Sequence, residues 1–441
     1  MSFNRMLTIG DIAKVFDGPH ATPKKIESGP YFLSISSLEN GKLDLSKSAH
    51  LSDVDFAKWT RRVTPEAGDI LFSYETRLGE VAMMPAGITA CLGRRMGLLR
   101  PDRTKILPEY LLYAYQSNAF QEIIRAKTIH GATVDRIALK ELPSFPIQVP
   151  PLPEQQKIVD ILKGYDRKLV LNLETNQTLE QMAQAIFKSW FVDFGPVKAK
   201  MNGEQPEGMD AAIASLFPEK LVESELGLIP EGWKIQTIKS LSEKISKGTT
   251  PSKKDLASAT DEPSIRFIKV KDINGQGEIL RGKLETIPDS IHTTKLKRSI
   301  LEKEDILFSI AGTIGRVAIV DQDLDNVNTN QAVAFIRLKN KQTYLPLVYM
   351  AMRENRLQQK AISSIVQGVQ ANLSLANVGD MEVLLPPEDI LNLWNKQYSS
   401  ILQMIKNNFA QSRQLASLRD TLLPKLLSGE IELSKIEALN E

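Results

Sequence analysis

The stretch GDILFS at residues 68–73 recurs as EDILFS at residues 304–309, so one short sequence occurs twice in the chain, 236 positions apart. Five of the six residues are identical in the two occurrences. The same displacement relates Gly79, Val81 and Ala82 to the sequence GRVA at residues 315–318, and the Pro-Pro pair at residues 150–151 to that at residues 386–387. This period is much longer than the roughly 20 to 50 residues of solenoid repeats. It predicts a duplicated domain whose two copies form a pseudo-two-fold arrangement.

The length and composition are those of a globular chain with more than one domain. Its 441 residues are 42% hydrophobic, 6% aromatic and 24% charged, with a net charge of +2, which excludes a collagenous or wholly disordered protein. No apolar run reaches the roughly 18 residues of a membrane-spanning helix, and the first residues lack the pattern of a secretory signal. The single cysteine, Cys91, has no partner for an internal disulfide. We therefore expect a cytoplasmic protein that binds no membrane, with Cys91 in its core.

Each copy of the repeat is predicted to contain short strands followed by an amphipathic helix. The helices, at residues 108–126 and 346–361, each begin with a proline, which is favoured in the first turn of a helix. This order predicts an α+β fold for two domains, residues 1–151 and 233–386. The predicted strands are residues 31–35, 69–74 and 96–100 in the first copy, and residues 266–270, 305–310, 316–320 and 332–338 in the second.

A helical periodicity begins after each Pro-Pro pair. Through residues 152–194 and 387–431 the apolar positions step by alternating fours and threes, which predicts two long helices with heptad seams that form an antiparallel coiled coil. Asn172 and Asn408 fall at equivalent layers, where a polar residue restricts the register. The alternative is two separate amphipathic helices, each packed on its own domain. The predicted seam consists of Ile158, Leu162, Tyr165, Leu169, Asn172, Leu179, Ile186, Trp190, Trp394, Ile401, Asn408, Leu415 and Leu422.

Two further segments next to the helices can be interpreted from sequence. Residues 195–232 are rich in proline and glycine, so we expect a long, semi-ordered connector there. Trp190 lies at a seam position and is expected to close the seam. A partner-binding surface is the alternative for Trp190 and the neighbouring phenylalanines, because aromatic residues are enriched in interfaces.

Sequence motifs of catalytic sites are missing from the chain. It contains no G-x-x-x-x-G-K-[ST] phosphate loop, no H-E-x-x-H motif and no [DN]-P-P-[YF] tetrapeptide of adenine methyltransferases. The four histidines are scattered singly, so no metal site is expected. We therefore assign no catalytic residue, and the chain is predicted to be a binding protein rather than an enzyme.

Several longer stretches of the sequence resemble a known family. Residues 145–158 (FPIQVPPLPEQQKI), 179–194 (LEQMAQAIFKSWFVDF), 224–233 (SELGLIPEGW) and 418–431 (LRDTLLPKLLSGEI) resemble segments of the specificity (S) subunits of type I restriction-modification systems. Residues 216–218 (LFP) also resemble the entry to the second recognition domain of that family. The resemblance covers essentially the whole chain. It departs at residues 387–390 (PEDI), which stand where the first copy has LPEQQ at residues 152–156.

The resemblance implies a non-catalytic subunit that gives a complex its DNA specificity. Its fold would be two tandem, pseudo-symmetric α/β target-recognition domains, separated and joined by the two long helices. Each domain would read one part of a split target on double-stranded DNA, and the helices would measure the gap between the parts. Two methyltransferase subunits would dock on the helices, and restriction subunits would complete the complex. No cofactor is expected in this chain, whereas S-adenosylmethionine, ATP and magnesium would be used by the partner subunits.

Candidate DNA contacts follow from the chemistry of base and phosphate recognition. Bases are read by side chains with paired donors and acceptors, and phosphates are contacted by lysine and arginine. Any one of these candidates could instead be a solvated surface side chain or a turn-forming residue. In the first domain the candidates are Tyr74, Thr76, Arg77, Arg94, Arg95, His130, Thr133 and Arg136. In the second they are Thr313, Arg316, Asn328, Asn330, Gln331, Gln367, Gln370 and Asn372, with Lys247, Lys253, Lys269 and Lys271 for phosphates.

Two other classes of function remain open from sequence. One is a duplicated protein-binding scaffold without sequence-specific DNA recognition, and the other is a stand-alone nuclease or methyltransferase with an unrecognised site. Catalytic activity of the isolated chain would favour the second, and indifference to DNA sequence in the assembled complex would favour the first.

Overall fold

The computed structural model describes residues 5–39, 41–131, 134–364 and 372–431 and divides the chain into two compact units. Unit 1 comprises Met1–Asn172 and Phe409–Glu441, and unit 2 comprises Leu173–Asn408. Each unit combines one copy of the repeat with parts of the two long helices. The two helices begin at residues 152 and 388, one and two residues after the predicted domain ends at residues 151 and 386.

The copy in unit 1 is built from short strands and four helices ahead of the first long helix. Its strands are β1 (Arg5–Thr8), β2 (Ala13–Asp17), β3 (Ile26–Phe32), β4 (Leu38–Glu39), β5 (Lys42–Leu43), β6 (Ala49–His50), β7 (Ile70–Ser73), β8 (Val81–Met83), β9 (Ala90–Cys91), β10 (Met96–Pro101), β11 (Thr128–Ile129), β12 (Arg136–Ile137) and β13 (Pro146–Val149). Its helices are α1 (Ile9–Ile12), α2 (Asp53–Trp59), α3 (Pro108–Gln116) and α4 (Asn118–Ala126), followed by the long α5 (Leu152–Phe191).

The copy in unit 2 has a similar set of elements. Its strands are β14 (Leu221–Ser224), β15 (Gly227–Pro230), β16 (Lys234–Thr237), β17 (Ser242–Lys247), β18 (Pro263–Ile268), β19 (Glu285–Pro288), β20 (Ile306–Ser309), β21 (Val317–Ile319), β22 (Asn328–Thr329), β23 (Val333–Leu338) and β24 (Glu382–Leu385). Its helices are α6 (Gly195–Met201), α7 (Ala211–Ser215), α8 (Ile238–Leu241), α9 (Lys253–Ser258), α10 (Asp289–Thr293), α11 (Lys341–Arg353), α12 (Asn355–Ser363), α13 (Leu375–Gly379) and the long α14 (Glu388–Ser428).

The two copies have the same strand order. A four-stranded sheet runs β2-β10-β7-β8 in unit 1 and β17-β23-β20-β21 in unit 2. A three-stranded sheet runs β6-β3-β9 in unit 1 and β19-β18-β22 in unit 2, each with one parallel pair. The strand that precedes each long helix also pairs with an early strand of its copy, β13 with β1 and β24 with β16. The duplicated sequence therefore folds into two copies of one α+β domain.

The repeated GDILFS and EDILFS stretches form the central strands β7 and β20, whose residues are all buried. The aspartate before each strand is buried and accepts hydrogen bonds from an arginine of the adjacent strand. Asp69 bonds Arg100 at 3.0 and 2.8 Å, and Asp305 bonds Arg337 at 3.0 and 2.8 Å. A buried carboxylate needs such a partner. The repeat therefore preserves a buried charge pair as well as an apolar strand.

The single amphipathic helix predicted in each copy is in fact two helices. In unit 1 the break is at Ser117, whose backbone is extended and whose hydroxyl caps α4 by accepting from the Phe120 N–H. In unit 2 the break is at Glu354, whose backbone is also extended. A local capping side chain can end one helix and start the next without disturbing the apolar periodicity. The periodicity therefore concealed both breaks.

The expectation that each helix begins with proline is wrong for unit 2. Pro108 is the first residue of α3, but α11 begins at Lys341, after the cap residue Asn340, and Pro346 lies inside it. Proline cannot donate to the carbonyl four residues earlier, which is that of Gln342. The Asn395 amide donates to this carbonyl at 3.3 Å and to that of Thr343 at 2.9 Å. A distant side chain thus replaces the hydrogen bond that Pro346 removes.

The predicted connector is an ordered part of unit 2. Residues 195–232 contain α6, α7 and the hairpin of β14 and β15, and Val197 and Phe217 are buried in the unit 2 core with Trp233. Pro196 lies in the first turn of α6, and Gly203 and Gly227 have the positive φ angles of turn residues. The expectation that residues 195–232 are semi-ordered was wrong. The proline and glycine content did not reveal that apolar side chains of this segment, such as Val197 and Phe217, are buried in the core.

In unit 1 the first part of α5 packs antiparallel against the last part of α14. Asp166 forms an ion pair with Arg419 at 3.0 Å, and Asn172 donates to Gln411 at 2.9 Å and to Ser412 at 3.2 Å. The predicted seam residues of this unit are buried (Ile158, Leu162 and Asn172) or half-buried (Tyr165, Leu169, Leu415 and Leu422).

In unit 2 the last part of α5 packs antiparallel against the first part of α14. Asn408 donates to Asn176 at 2.8 Å, and the rings of Phe187 and Trp394 lie 5.5 Å apart. Because α5 and α14 contact each other in both units, the alternative of two separate amphipathic helices, each packed on its own domain, is wrong. The predicted seam residues of this unit are buried (Leu179, Trp190 and Trp394) or half-buried (Ile186, Ile401 and Asn408).

Trp190 lies in the unit 2 core rather than on an open surface. Its ring is 6.2 Å from that of Trp394 and 5.2 Å from that of Phe217. Phe187 and Phe191 are buried in the same cluster. These aromatic residues therefore join the helices to the second domain.

Candidate nucleic-acid interface

A cleft of about 620 Å³ in unit 1 is lined by four of the predicted contact residues. The loops at one end of the four-stranded sheet bring these residues together. Strand β7 ends at Ser73, directly before Tyr74, and strand β10 begins at Met96, directly after Arg95. Arg136 pairs with the loop after β7 through a bridge to Glu75. The predicted residues that line the cleft are Tyr74, Arg94, Arg95 and Arg136. Asp17 and His20, which were not predicted, also line it.

Two residues at the rim of this cleft have an unusual backbone conformation. Thr76 and Arg95 have φ angles of 69° and 70°, in the left-handed region that residues other than glycine seldom adopt. The Arg95 Nε lies 2.6 Å from a Glu75 carboxylate oxygen, and its Nη1 donates to the Thr76 hydroxyl at 3.2 Å. Such backbone strain persists only where surrounding contacts fix it, and it clusters at functional sites. The charge of Arg95 is matched within the rim.

Arg94 and Arg136 differ from Arg95 because their side chains are exposed and, within the ranges that the structure describes, take part in no ion pair. A guanidinium carries five N–H donors in a planar fork that matches phosphates and the guanine edge. Arg94 and Arg136 are thus two cations available to an anionic or hydrogen-bonding ligand, and the exposed Lys140 of the cleft lining is a third.

A second cleft of about 520 Å³ adjoins the first and shares Asp17 and His20 with it. Its cations are Lys58, Arg61 and Arg62, around the ring of Trp59, and Arg62 lies 3.7 Å from Asp17. Sequence reasoning missed these residues. The available signal was the segment KWTRR at residues 58–62, in which three cations and an aromatic residue are interleaved.

Three other candidates of unit 1 are exposed or lie outside the described residues. His130 is exposed, and its Nδ1 lies 3.2 Å from an Asp135 carboxylate oxygen. Thr76 is exposed at the rim. Thr133 of unit 1, like Gln367 and Gln370 of unit 2, lies outside the residues that the structure describes.

In unit 2 two exposed candidates, Gln331 and Asn372, lie on loops that correspond to those of the cleft in unit 1. The Thr250 hydroxyl donates to the side-chain Oε1 of Gln331 at 2.5 Å, and Asn330 beside it is half-buried. Asn372 pairs with Ala311, the residue after Ile310, in an isolated bridge. The candidates exposed in this unit are Lys247, Lys253, Lys271, Thr313, Gln331 and Asn372.

The four lysines proposed for phosphates fall into two groups. Lys269 and Lys271 both pair with Glu285, at 2.6 and 3.0 Å, and these two contacts lower the pKa of the Glu285 carboxyl. Lys247 and Lys253 form no ion pair in the part of the chain that is described. Their charges are therefore more available to phosphate than those of Lys269 and Lys271.

Two candidates are corrected because they are buried. Asn328 is fully buried, where it contacts the His292 ring at 2.5 Å and donates to the Leu296 carbonyl at 3.2 Å. Tyr74 lines the cleft, but its side chain is 8% exposed and burial raises the pKa of its phenol. Asn328 supports the fold and cannot touch DNA, and Tyr74 forms the cleft wall.

Two arginine candidates are corrected because backbone carbonyls hold their guanidinium groups. Arg77 donates to the Ile35 carbonyl at 3.1 Å and pairs with Glu80, and Arg316 donates to the carbonyls of Val270 and Ile273 at 3.1 and 2.5 Å. Their donors join loops within the domains. A sequence shows that an arginine follows a strand, but not which carbonyls lie within its reach.

Several other features bear on function. No group of three or more His, Cys, Asp or Glu that could hold a metal ion occurs among the described residues. The search of the same residues for a helix long and apolar enough to cross a membrane also found none. Cys91 is buried, and burial raises the pKa of its thiol to about 12.

Comparison with known proteins identifies the family. Residues 4–181 and 230–417 match the family described as type I restriction modification DNA specificity domain. The chain is 28% identical over 378 residues to the HindI specificity subunit of Haemophilus influenzae, covering 76% of this chain and 80% of the relative. It is 24% identical over 426 residues to the MjaIX specificity subunit of Methanocaldococcus jannaschii, covering 95% and 88%. The S subunit from M. genitalium shares the fold, with a TM-score of 0.50, 16% identity and 96% of each chain covered.

The chain thus combines two copies of one α+β domain with two long helices, and the first domain has an open cleft lined by arginines. The chain belongs to the type I restriction modification DNA specificity family. It is a specificity subunit, a non-catalytic component of a restriction-modification complex.

Proposed function

We propose that this subunit selects a bipartite target on double-stranded DNA, with one recognition domain for each half-site. The observation that carries the proposal is the repetition of one strand order with different exposed side chains on corresponding loops. The first domain presents Arg94 and Arg136 there, and the second presents Gln331 and Asn372. A shared scaffold with different contact residues suits two half-sites of different sequence.

The proposal includes two methyltransferase subunits that dock on the long helices. Met182 on α5 and Leu418 on α14 are 236 positions apart, so they occupy equivalent positions of the repeat, and their side chains are 50% and 49% exposed. An exposed large apolar side chain on a helix can serve as an interface anchor. Equivalent anchors on two helices would suit two identical partners.

The catalytic steps belong to partner subunits in this proposal. Methyl transfer from S-adenosylmethionine would occur in the methyltransferase subunits, and ATP- and magnesium-dependent cleavage would occur in restriction subunits of a full complex. The chain would act on DNA in the cytoplasm and would supply sequence selection alone.

The test is to express this chain with the methyltransferase subunit of its own system in a host that lacks its methylation, and to sequence the methylated bases. We expect a split motif that is methylated only when this chain is present. A control culture expresses the methyltransferase subunit alone. Unchanged methylation in cells where the complex can be purified would contradict the proposal and favour a protein-binding scaffold.

A further inference from the structure

The strand registers establish which loop residues of the two domains are equivalent. Met96 pairs with Ser73 in unit 1, and Val333 pairs with Ser309 in unit 2. The residue before strand β10 and the residue before strand β23 each accept a hydrogen bond through the backbone carbonyl. In unit 1 the Arg95 carbonyl accepts from the Tyr74 N–H at 3.3 Å. In unit 2 the Ala332 carbonyl accepts from the Ile310 N–H at 2.8 Å. Arg95 is therefore equivalent to Ala332, and Arg94 to Gln331.

This equivalence differs by one residue from the constant displacement of 236 in the sequence. That displacement pairs Arg94 with Asn330. The structure instead pairs Asn330 with Gly93, because the carbonyl of each accepts from the first residue of the following strand, at 3.2 and 3.3 Å. Asn330 is half-buried, whereas Gln331 is exposed. The exposed side chain is therefore the one that matches Arg94.

A second pair of positions is equivalent through isolated bridges. Arg136 pairs with Glu75 in unit 1, and Asn372 pairs with Ala311 in unit 2. In both domains the next residue donates to the strand end, Ile137 to Tyr74 and Leu373 to Ile310, each at 2.9 Å. Arg136 and Asn372 are exposed. We call the equivalent loops of the two domains the two rims. Arg94 and Arg136 lie on the rim of the first domain, and Gln331 and Asn372 lie on that of the second.

A third position supports the equivalence of the rims. The N–H of Gly18 donates to the Met96 carbonyl at 3.0 Å, and that of Gly248 to the Val333 carbonyl at 3.3 Å. A Cβ on either glycine would lie within 2.6 Å of a carbonyl oxygen, so the close approach of the backbone requires glycine at both positions. Two residues later are His20 and Thr250. Thr250 bonds Gln331, and His20 lines the cleft with Arg94.

The two rims differ in the chemistry with which they can read a base pair. In the major groove an arginine forms paired hydrogen bonds with N7 and O6 of guanine, and asparagine or glutamine does so with N7 and N6 of adenine. Arg94 and Arg136 therefore suit guanine, and Gln331 and Asn372 suit adenine. Arg95 does not enter this comparison, since Glu75 matches its charge and Ala332 replaces it in the second domain.

We infer that the half-site read by the first domain contains a guanine that Arg94 or Arg136 contacts. The half-site read by the second domain contains an adenine that Gln331 or Asn372 contacts, and this adenine is not the methylated base. The inference rests on the proposed function, because it requires that the domains read DNA. It adds the base that each domain selects and the residues that select it.

The experiment exchanges the side chains between the rims. The complexes carry Arg94→Gln, Arg136→Asn, Gln331→Arg or Asn372→Arg, and methylated sites are sequenced for each beside the native complex. We expect at least one variant in each domain to change the preferred base at one position of one half-site, from guanine to adenine or the reverse. The other half-site stays unchanged. The native preference at that position should fall roughly tenfold to a hundredfold.

Matched controls separate base reading from loss of charge or of fold. Arg125→Gln removes an exposed arginine of α4, and Gln359→Arg adds a charge on α12, both on helices outside the rim. Neither should alter the motif. Co-purification with the methyltransferase subunit shows that each variant is folded.

The possible failures are distinguishable. If the native complex shows no motif that depends on this chain, the proposed function is overturned and the base assignment with it. If the native motif depends on the chain but the arginine variants lower methylation equally at all sites, the arginines contact phosphates and the base assignment is wrong. A native motif with no guanine in the half-site of the first domain also overturns the assignment.

Discussion

Asp69 and Asp305 show how a single residue position links the repeated sequence to the stability of each domain. Each is buried before the central strand and receives two hydrogen bonds from an arginine of the neighbouring strand. The sequence displays the aspartate in both copies. It does not display the arginine partner, because Arg100 and Arg337 lie more than thirty residues further along the chain. Pairing of the strands brings the two charges together.

Asp305→Ala is expected to destabilise unit 2 by about 3 kcal/mol, because it leaves the Arg337 guanidinium without its buried partner. Urea unfolding of unit 2 measures the change. Glu302→Ala is the matched control, since Glu302 pairs with the same arginine but is half-exposed to solvent, where ion pairs contribute little. Equal unfolding midpoints for the two variants would contradict the role of Asp305.

Cys91 is expected to react slowly with a thiol reagent at pH 8 in the folded chain. Its thiol is buried, and because burial raises its pKa to about 12, it stays protonated and unreactive at this pH. The urea-unfolded chain should react much faster. The absorbance of the thiolate that a chromogenic disulfide reagent releases gives both rates. Similar rates in the two states would show that Cys91 is accessible in the folded chain.

At the scale of elements, the sequence predicted the central strands and the long helices, but it missed many of the shorter strands and helices and the division of the helix in each copy. Strands β7 and β20 lie within the predicted residues 69–74 and 305–310. The helix breaks at Ser117 and Glu354 were missed because an apolar face continues across each of them. The start of α11 was missed because its compensating contact comes from Asn395, on another helix.

Asn395→Ala is expected to cost unit 2 about 1 to 2 kcal/mol, since the carbonyls of Gln342 and Thr343 lose their donor. Thermal unfolding measures the loss. Asn407→Ala, at an exposed position of the same helix, is the control and should leave the unfolding temperature nearly unchanged. If both variants unfold at the native temperature, the amide does not compensate for Pro346.

At the scale of the whole molecule, duplication accounts for two domains of the same fold and for equivalent positions on the two long helices. The exposed apolar residues Met182 and Leu418 are related by the same displacement as the repeated strands. A repeated surface can bind two copies of one partner. Under the proposal that methyltransferase subunits dock at these positions, the duplication of the chain sets their number at two.

Met182→Glu or Leu418→Glu alone is expected to reduce the complex to one methyltransferase subunit, and the double variant to none, because a charge disfavours burial in an apolar contact. Native mass spectrometry of the purified complex counts the subunits. Met201→Glu, at an exposed apolar residue of α6, is the control and should retain two. Two subunits on the double variant would place the docking surface elsewhere.

The sequence by itself determined the duplication, the α+β class, the long helices and the family, because repeats, apolar periodicity and shared motifs are all properties of residue order. The tertiary structure alone decided which polar residues remain free to bind. Arg94 and Arg77 are both arginines of loops next to central strands, yet Arg94 is exposed and Arg77 donates to the Ile35 carbonyl. Asn328 was predicted as a contact and is fully buried. The reason is physical: a hydrogen-bonding side chain is satisfied by whatever groups the folded chain brings within about 3 Å, and those groups are distant in sequence.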